Sequence, residues 1–274
     1  MFLTSTHNGV LGQPGSGKTS LALQWLCESS KQGSASIFYS LDMGKPVIYG
    51  KLVQKYLGCS FKEAVKICRE NPSKLAKVKE DIARDFKNVK FNFKSAVTPE
   101  IIRQDIKDHE AATGQKVRLV ITDYLECLSG PYSDSLANVA FISQQMKDIA
   151  NELQVCSVML LQTQKHSTSE ISDPLMSMKQ IKGSSVIEQS SSVILTLWRE
   201  GYSPKTVEED RYMSFACVKN RFGSLWTDDF KWNGRNGLIS ELTEEERFEL
   251  EEFKKRKAQA KADAAADSGN GGWS

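Results

Sequence analysis

Two hydrophobic rhythms run through the chain. Short apolar runs recur, and between them lie longer stretches with apolar residues every three or four positions. The short runs read as strands at residues 8–11, 36–41 (S-I-F-Y-S-L), 90–93, 117–123 (V-R-L-V-I-T-D), 155–162, 191–198, 213–219 and 225–232. Asn233-Gly234 and Asn236-Gly237 supply hairpin turns before Leu238-Ile239. The longer stretches read as helices. Residues 20–27 (S-L-A-L-Q-W-L-C) form one, and the Lys-, Glu- and Ala-rich region 46–88 looks helical throughout. Thr98-Pro99-Glu100 is a helix start, with a capping hydroxyl and Pro at the first position, and Gly114 is the matching stop. Across residues 135–153, Leu136, Val139, Ile142, Met146, Ile149 and Leu153 form one apolar stripe that predicts core packing.

Strands alternating with helices and closing in hairpins predict an α/β fold. The expected architecture is a mostly parallel sheet with helices on both faces and C-terminal β-hairpins. From Thr243 the character changes: the sequence is acidic, then basic, then Ala-rich, and it ends S-G-N-G-G-W-S. This divides the chain into an α/β domain, 1–242, and a charged surface helix fading into a disordered tail, 243–274, in which Trp273 is a candidate docking handle.

Composition narrows the picture only a little. At 274 residues and 40% hydrophobic, the chain can bury one sizeable core or two small ones. The net charge of +2 leaves nucleic-acid binding open, so any basic surface must be local. Six scattered cysteines without a C-x-x-C pair read as buried free thiols in a reducing compartment. No His/Cys cluster has metal-ligand spacing, and His166 stands alone. There is no secretory signal and no apolar span of membrane length, so the expected setting is cytoplasmic, its own cell's or a host's.

The sharpest chemical signal is G-Q-P-G-S-G-K-T: Gly12, Gln13, Pro14, Gly15, Ser16, Gly17, Lys18 and Thr19, followed by Ser20. It fits the phosphate-loop pattern G-x-x-x-x-G-K-[ST] between an apolar run and a helix. Glycines let backbone N–H groups close around a polyphosphate, and the helix start adds its positive dipole end. Lys18 suits β/γ-phosphates and the Thr19 hydroxyl suits Mg²⁺, which points to ATP with Mg²⁺.

Five further strings occur in a telling order: F-Y-S-L-D-M (38–43), V-R-L-V-I-T-D-Y-L-E-C-L (117–128), M-K-D-I-A-N-E-L-Q-V-C-S-V-M-L-L-Q-T-Q-K (146–165), M-K-Q-I-K-G-S-S-V-I-E-Q-S-S-S-V-I-L-T-L-W-R-E (178–200) and V-K-N-R-F-G (218–223). Together they resemble the motor domain of DnaB-family replicative helicases, a RecA-like ATPase fold, from the loop to about residue 240. K-N-R-F-G also resembles the RadA recombination ATPases. The resemblance implies roles. Asp123 would hold Mg²⁺ opposite Thr19. Asp42 stands where the family carries a water-activating Glu, one methylene longer, with Glu126 as a rival base. Gln162 would sense the γ-phosphate. Lys219 and Arg221 would reach a neighbouring subunit's phosphate, Arg221 as an arginine finger. The polar loop 166–186, with Lys179, Lys182, Gly183 and Ser184, would grip single-stranded DNA, although Lys182 replaces the family's Arg and Ser190-Ser191-Ser192 replaces its acidic residues.

The resemblance further implies a homo-oligomeric ring, a hexamer by family precedent, with primase or loader partners. The family's N-terminal collar and linker helix have no counterpart here, so either a compact phage-type form or a fragment is expected. Two other functions remain open at this level. One is a RadA- or KaiC-like remodelling ATPase. The other is a nucleotide-gated DNA clamp or loader that hydrolyses weakly, which the short Asp42 keeps in play.

Overall fold

The computed structural model describes residues 3–162, 184–199 and 211–269. Nine strands form one sheet: β1 (Thr6–Gly12), β2 (Ala35–Ser40), β3 (Val89–Asn92), β4 (Val117–Asp123), β5 (Cys156–Gln162), β6 (Val193–Trp198), β7 (Tyr212–Asn220), β8 (Trp226–Asn233) and β9 (Leu238–Glu241). Their order is β3-β2-β4-β5-β1-β6-β7-β8-β9. The strands from β3 to β6 pair in parallel, and β6 to β9 pair antiparallel. This is the mostly parallel sheet with terminal hairpins that the hydrophobic pattern predicts.

Helices cover both faces, which is why the central strands are apolar on both sides. In β1, Val10 enters the core that faces α1 (Lys18–Lys31) and α2 (Lys45–Leu57), while Leu11 enters the opposite core with α5 (Pro99–Thr113) and α6 (Ser135–Glu152). In β2, Phe38 goes to the first core and Ile37 and Tyr39 to the second. That alternation follows from the two-residue repeat of a strand.

Region 46–88 is three helices rather than one span. α2 ends at Gly58, whose φ of 65° suits a residue without Cβ. Ser60 and Glu63 then form a reciprocal capping box on α3 (Phe61–Glu70). The Asn71 side chain caps α4 (Pro72–Asp85), which starts on Pro72. At α5, Thr98 accepts a hydrogen bond from Ile101 N and Gly114 closes the helix at φ 68°, the start and stop read from the sequence.

Two expectations change. Residues 184–186, placed in a polar loop, belong to α7 (Ser184–Ser190), a short helix whose few apolar positions left no periodic signal. The rest of that loop, 166–183, lies outside the described residues. The α6 stripe holds at Val139, Ile142, Met146 and Ile149, but Leu136 is 44% exposed in the first turn, before the helix reaches the sheet. α8 (Glu244–Gly269) takes in the Ala-rich stretch; Leu250 is buried, and Lys231–Glu246 and Lys254–Asp229 pairs tie the helix to β8.

The two ends of the stripe provide a stability test. Ile142→Ala is expected to cost about 2–5 kcal/mol through a cavity in a fully buried position. Leu136→Ala is expected to change stability by no more than about 0.5 kcal/mol. Urea denaturation of the two variants checks both values.

Candidate nucleotide-binding site

Parallel strands deliver their C-terminal ends to one edge of the sheet, where ligands bind in open α/β folds. Gly12 ends β1, Asp123 ends β4 and Gln162 ends β5, with Gly12 and Gln162 paired in register. Gly12 has no room for a side chain: a Cβ there would sit 2.4 Å from Ser16 Oγ and 3.0 Å from Leu197 O. Gly15 and Gly17 adopt φ of 78° and 102°, the left-handed region that favours glycine. The loop thus turns sharply from a buried strand into α1, and the first N–H groups of that helix lack intrahelical carbonyls.

A cleft opens over this turn. Pro14, Gly15, Gly17, Lys18, Thr19 and Ser20 line one wall, and Asp42, Asp123 and Gln162 line another. The predicted phosphate-loop, metal and base or sensor residues therefore meet in one place. Gln13 contributes its backbone: its carbonyl accepts from Ser16 N at 3.1 Å and from Lys18 Nζ at 3.0 Å. Lys18 Nζ also donates to Gly12 O at 2.6 Å, so the ammonium lies along the loop it serves. Ser16 Oγ is buried with no hydrogen-bond partner among the described residues, a polar atom at the cradle that a phosphate oxygen could satisfy.

Thr19 Oγ1 donates to Asp123 Oδ2 at 2.7 Å. Burial raises the Asp123 carboxyl above its usual range, with the Asp42 charge acting in the same direction; the Thr19 hydrogen bond and the Lys18 and Lys51 charges oppose the rise. A hydroxyl and a carboxylate form the hard oxygen set that Mg²⁺ prefers, so these residues fit that ion. Asp42 is held by the turn after β2: Ser40 Oγ donates to Met43 O at 2.7 Å and Leu41 N to Asp123 O at 2.8 Å. Glu126 falls in a short 3-10 turn, Leu125–Cys127, and its side chain lies outside the described atoms.

Sequence reasoning missed the rest of the cleft. Lys51 and Lys55 on α2 line it, and burial lowers the pKa of each, with the Asp123 charge opposing at Lys51. Their region read only as helical, and the fold brings α2 over the loop. Gly234, Asn236 and Gly237 of the β8–β9 turn form the facing wall. The two walls are joined: Arg235 Nη2 reaches Glu63 Oε1 and Oε2 at 2.7 and 2.9 Å, and Gln54 Nε2 donates to Arg235 O at 3.2 Å. Hydrogen bonds from Ser60 and then from Arg235 hold the Glu63 carboxyl down at about 2.

Lys219 and Arg221 are not in this cleft. β7 runs antiparallel to β6, so Asn220 pairs with Val193 while Leu197 pairs with Gly12. The span from 193 to 197 is roughly 13 Å at about 3.3 Å per residue, which puts both cations at the opposite edge of the sheet. Both reach α7: Arg221 Nη2, just past the end of β7, donates to Gln189 O at 2.9 Å, and Lys219 Nζ donates to Glu188 O. Of the DNA-contact candidates, Ser184 opens α7, and Lys179, Lys182 and Gly183 lie outside the described residues.

The model of the DnaB-like helicase C terminal domain matches residues 5–239. The replicative DNA helicase DnaC of Bacillus subtilis (strain 168) is 29% identical over 112 residues, 40% of this chain and 24% of that protein. The replicative DNA helicase DnaB of Geobacillus stearothermophilus is 27% identical over 135 residues, 47% of this chain and 30% of that protein. The chain thus spans less than a third of the length of either relative. Two solved structures share the fold at a TM-score of 0.78 and 21% identity over 88% of this chain. One is a DnaB-like replicative helicase described with its interactions with primase, 58% covered, and the other is an isolated ATPase domain, 86% covered. With its sheet, its phosphate loop and a family match over most of its length, the chain belongs to the DnaB-like helicase C-terminal domain family.

Proposed function

We propose that this domain is an ATP-hydrolysing DNA helicase motor. It acts at the joints of a homo-oligomeric ring, a hexamer in the simplest form, and moves along single-stranded DNA during replication. The observation that carries the reading is the separation of Lys219 and Arg221 from the cleft of their own chain. Cations that converge at the far edge of the sheet serve a phosphate only if a second copy presents one. A primase or loader as partner and a cytoplasmic setting belong to the same reading.

Each residue then has a distinct task. The loop from Gly12 to Thr19 binds the β- and γ-phosphates through its N–H groups and Lys18. Thr19 and Asp123 would hold Mg²⁺, which when bound neutralises charge on the phosphate oxygens. Asp42 takes the proton of the attacking water, and Gln162 hydrogen-bonds the γ-phosphate. Arg221, aided by Lys219, stabilises charge on the neighbour's nucleotide. Lys179, Lys182, Gly183 and Ser184 contact the DNA backbone, a sequence-independent mode. Their segment leads into α7, whose last carbonyls receive Arg221 and Lys219, so a continuous stretch of chain links DNA to the finger.

One feature favours a second reading. Asp42 is one methylene shorter than the family's Glu, which suits a nucleotide-gated clamp with weak hydrolysis. ATPase rates with and without single-stranded DNA separate the two: strong stimulation supports the motor, and a flat, near-zero rate supports the clamp.

Arg221→Ala is expected to lower the ATPase rate by about 10³-fold or more. Mixed with wild-type chain, it should depress activity below simple dilution; proportional activity would sink the shared-site reading. A second expectation concerns Asp123. Its raised pKa means that the native chain keeps this proton to higher pH than the unfolded chain. Stability from this group is therefore fully present below about 4 and is lost as pH climbs through the folded value. Asp123→Asn should raise the melting temperature of the nucleotide-free protein at pH 7 while abolishing Mg²⁺-dependent gain in ATP affinity. Thermal melts and ATP titrations with and without Mg²⁺ check both arms.

A further inference from the structure

Arg199 directly follows β6 and is 8% exposed, an uncommon burial for a cation. Its Nη2 donates to Gly15 O at 2.9 Å, at the apex of the phosphate loop. Its guanidinium also lies over the Trp232 indole, 5.0 Å from the ring centroid. Trp232, itself 8% exposed, packs against the loop at Gly17: a Cβ there would come within 3.1 and 3.2 Å of its Cζ3 and Cη2. Arg199 and the two loop glycines are thus parts of one packed unit.

The physical effect follows from the peptide geometry. A carbonyl fixed outward fixes its peptide plane, and the N–H of that plane, Ser16 N, closes onto Gln13 O at 3.1 Å. Gly15 and Gly17 both sit at positive φ, where the backbone is otherwise free to rotate. Arg199 removes that freedom from behind, and its charge adds to the field that an anion meets over the following N–H groups.

We propose that Arg199 is a positioning residue for the nucleotide. It holds the Gly15 carbonyl away from the cleft, and with Trp232 it braces Gly17, so that the loop presents its donors to the β-phosphate. The proposal rests on the nucleotide-binding reading above, and it assigns to this side chain a role that the phosphate-loop pattern does not contain.

The test compares ADP with AMP, since only ADP places a β-phosphate in the loop. Both are titrated calorimetrically into wild type, Arg199→Gln and Arg199→Lys. The expected result for Arg199→Gln is a loss of about 10- to 100-fold in ADP affinity, the usual worth of a hydrogen bond from a charged group, with AMP affinity within about threefold of wild type. Arg199→Lys, which keeps the charge without the planar fork, should recover only part of the loss. A parallel fall for ADP and AMP would mean general damage to the fold and would overturn the proposal, as would ADP binding unchanged in Arg199→Gln. If wild type itself shows no preference for ADP over AMP, the nucleotide reading fails along with it.

Discussion

The site depends on one constraint: β1 is a fully buried strand in the interior of the sheet, between β5 and β6. All of its residues from Thr6 to Gly12 are buried, so the loop springs from a fixed base. The apolar members Val10 and Leu11 anchor it to the two cores, each side chain contributing about 1.5–3 kcal/mol. Most polar atoms of the strand are matched in place, and Asn8 Oδ1 is buried with no hydrogen-bond partner among the described residues. Asn8 Nδ2 donates to Thr6 Oγ1 at 2.8 Å and to Ser157 O at 3.2 Å, and His7 Nδ1 lies 3.0 Å from Ser157 Oγ. Burial, with the Lys147 charge, holds the His7 pKa down to about 3, so the imidazole stays neutral inside the sheet.

Around that base the cleft is assembled from parts far apart in sequence. Thr19 and Asp123 come together across the sheet edge, Lys51 and Lys55 arrive from α2, and the β8–β9 turn closes the far side. The Arg235–Glu63 contact is solvent-exposed, so its worth in stability is small. It matters for alignment, because one nitrogen, Arg235 Nη2, contacts both Glu63 oxygens and ties the β8–β9 turn to the first turn of α3.

What could be read from the sequence divides along the range of the forces involved. The strands were legible because apolar runs record burial locally; 117–123 coincides with β4, and the others shift by a residue or two. The phosphate loop was legible because its backbone needs glycines at fixed spacing. α7 was not, since seven residues with little periodicity look like loop. Lys51, Lys55 and Trp232 were not, since nothing in their own neighbourhoods records that tertiary packing carries them to the loop. Leu136 was assigned to the core because the periodicity extends into the exposed first turn of α6.

The opposed placement of cleft and cations also makes the protomer a directional object. A unit with a donor at one pole and an acceptor at the other cannot pair face to face and satisfy both copies. On the proposed shared-site reading copies join head to tail, and such contacts either close into a circle or run on as an open helix. The angle between successive copies, rather than any feature of the pocket, then decides whether nucleotide turnover is confined to a finite assembly or spread along a filament.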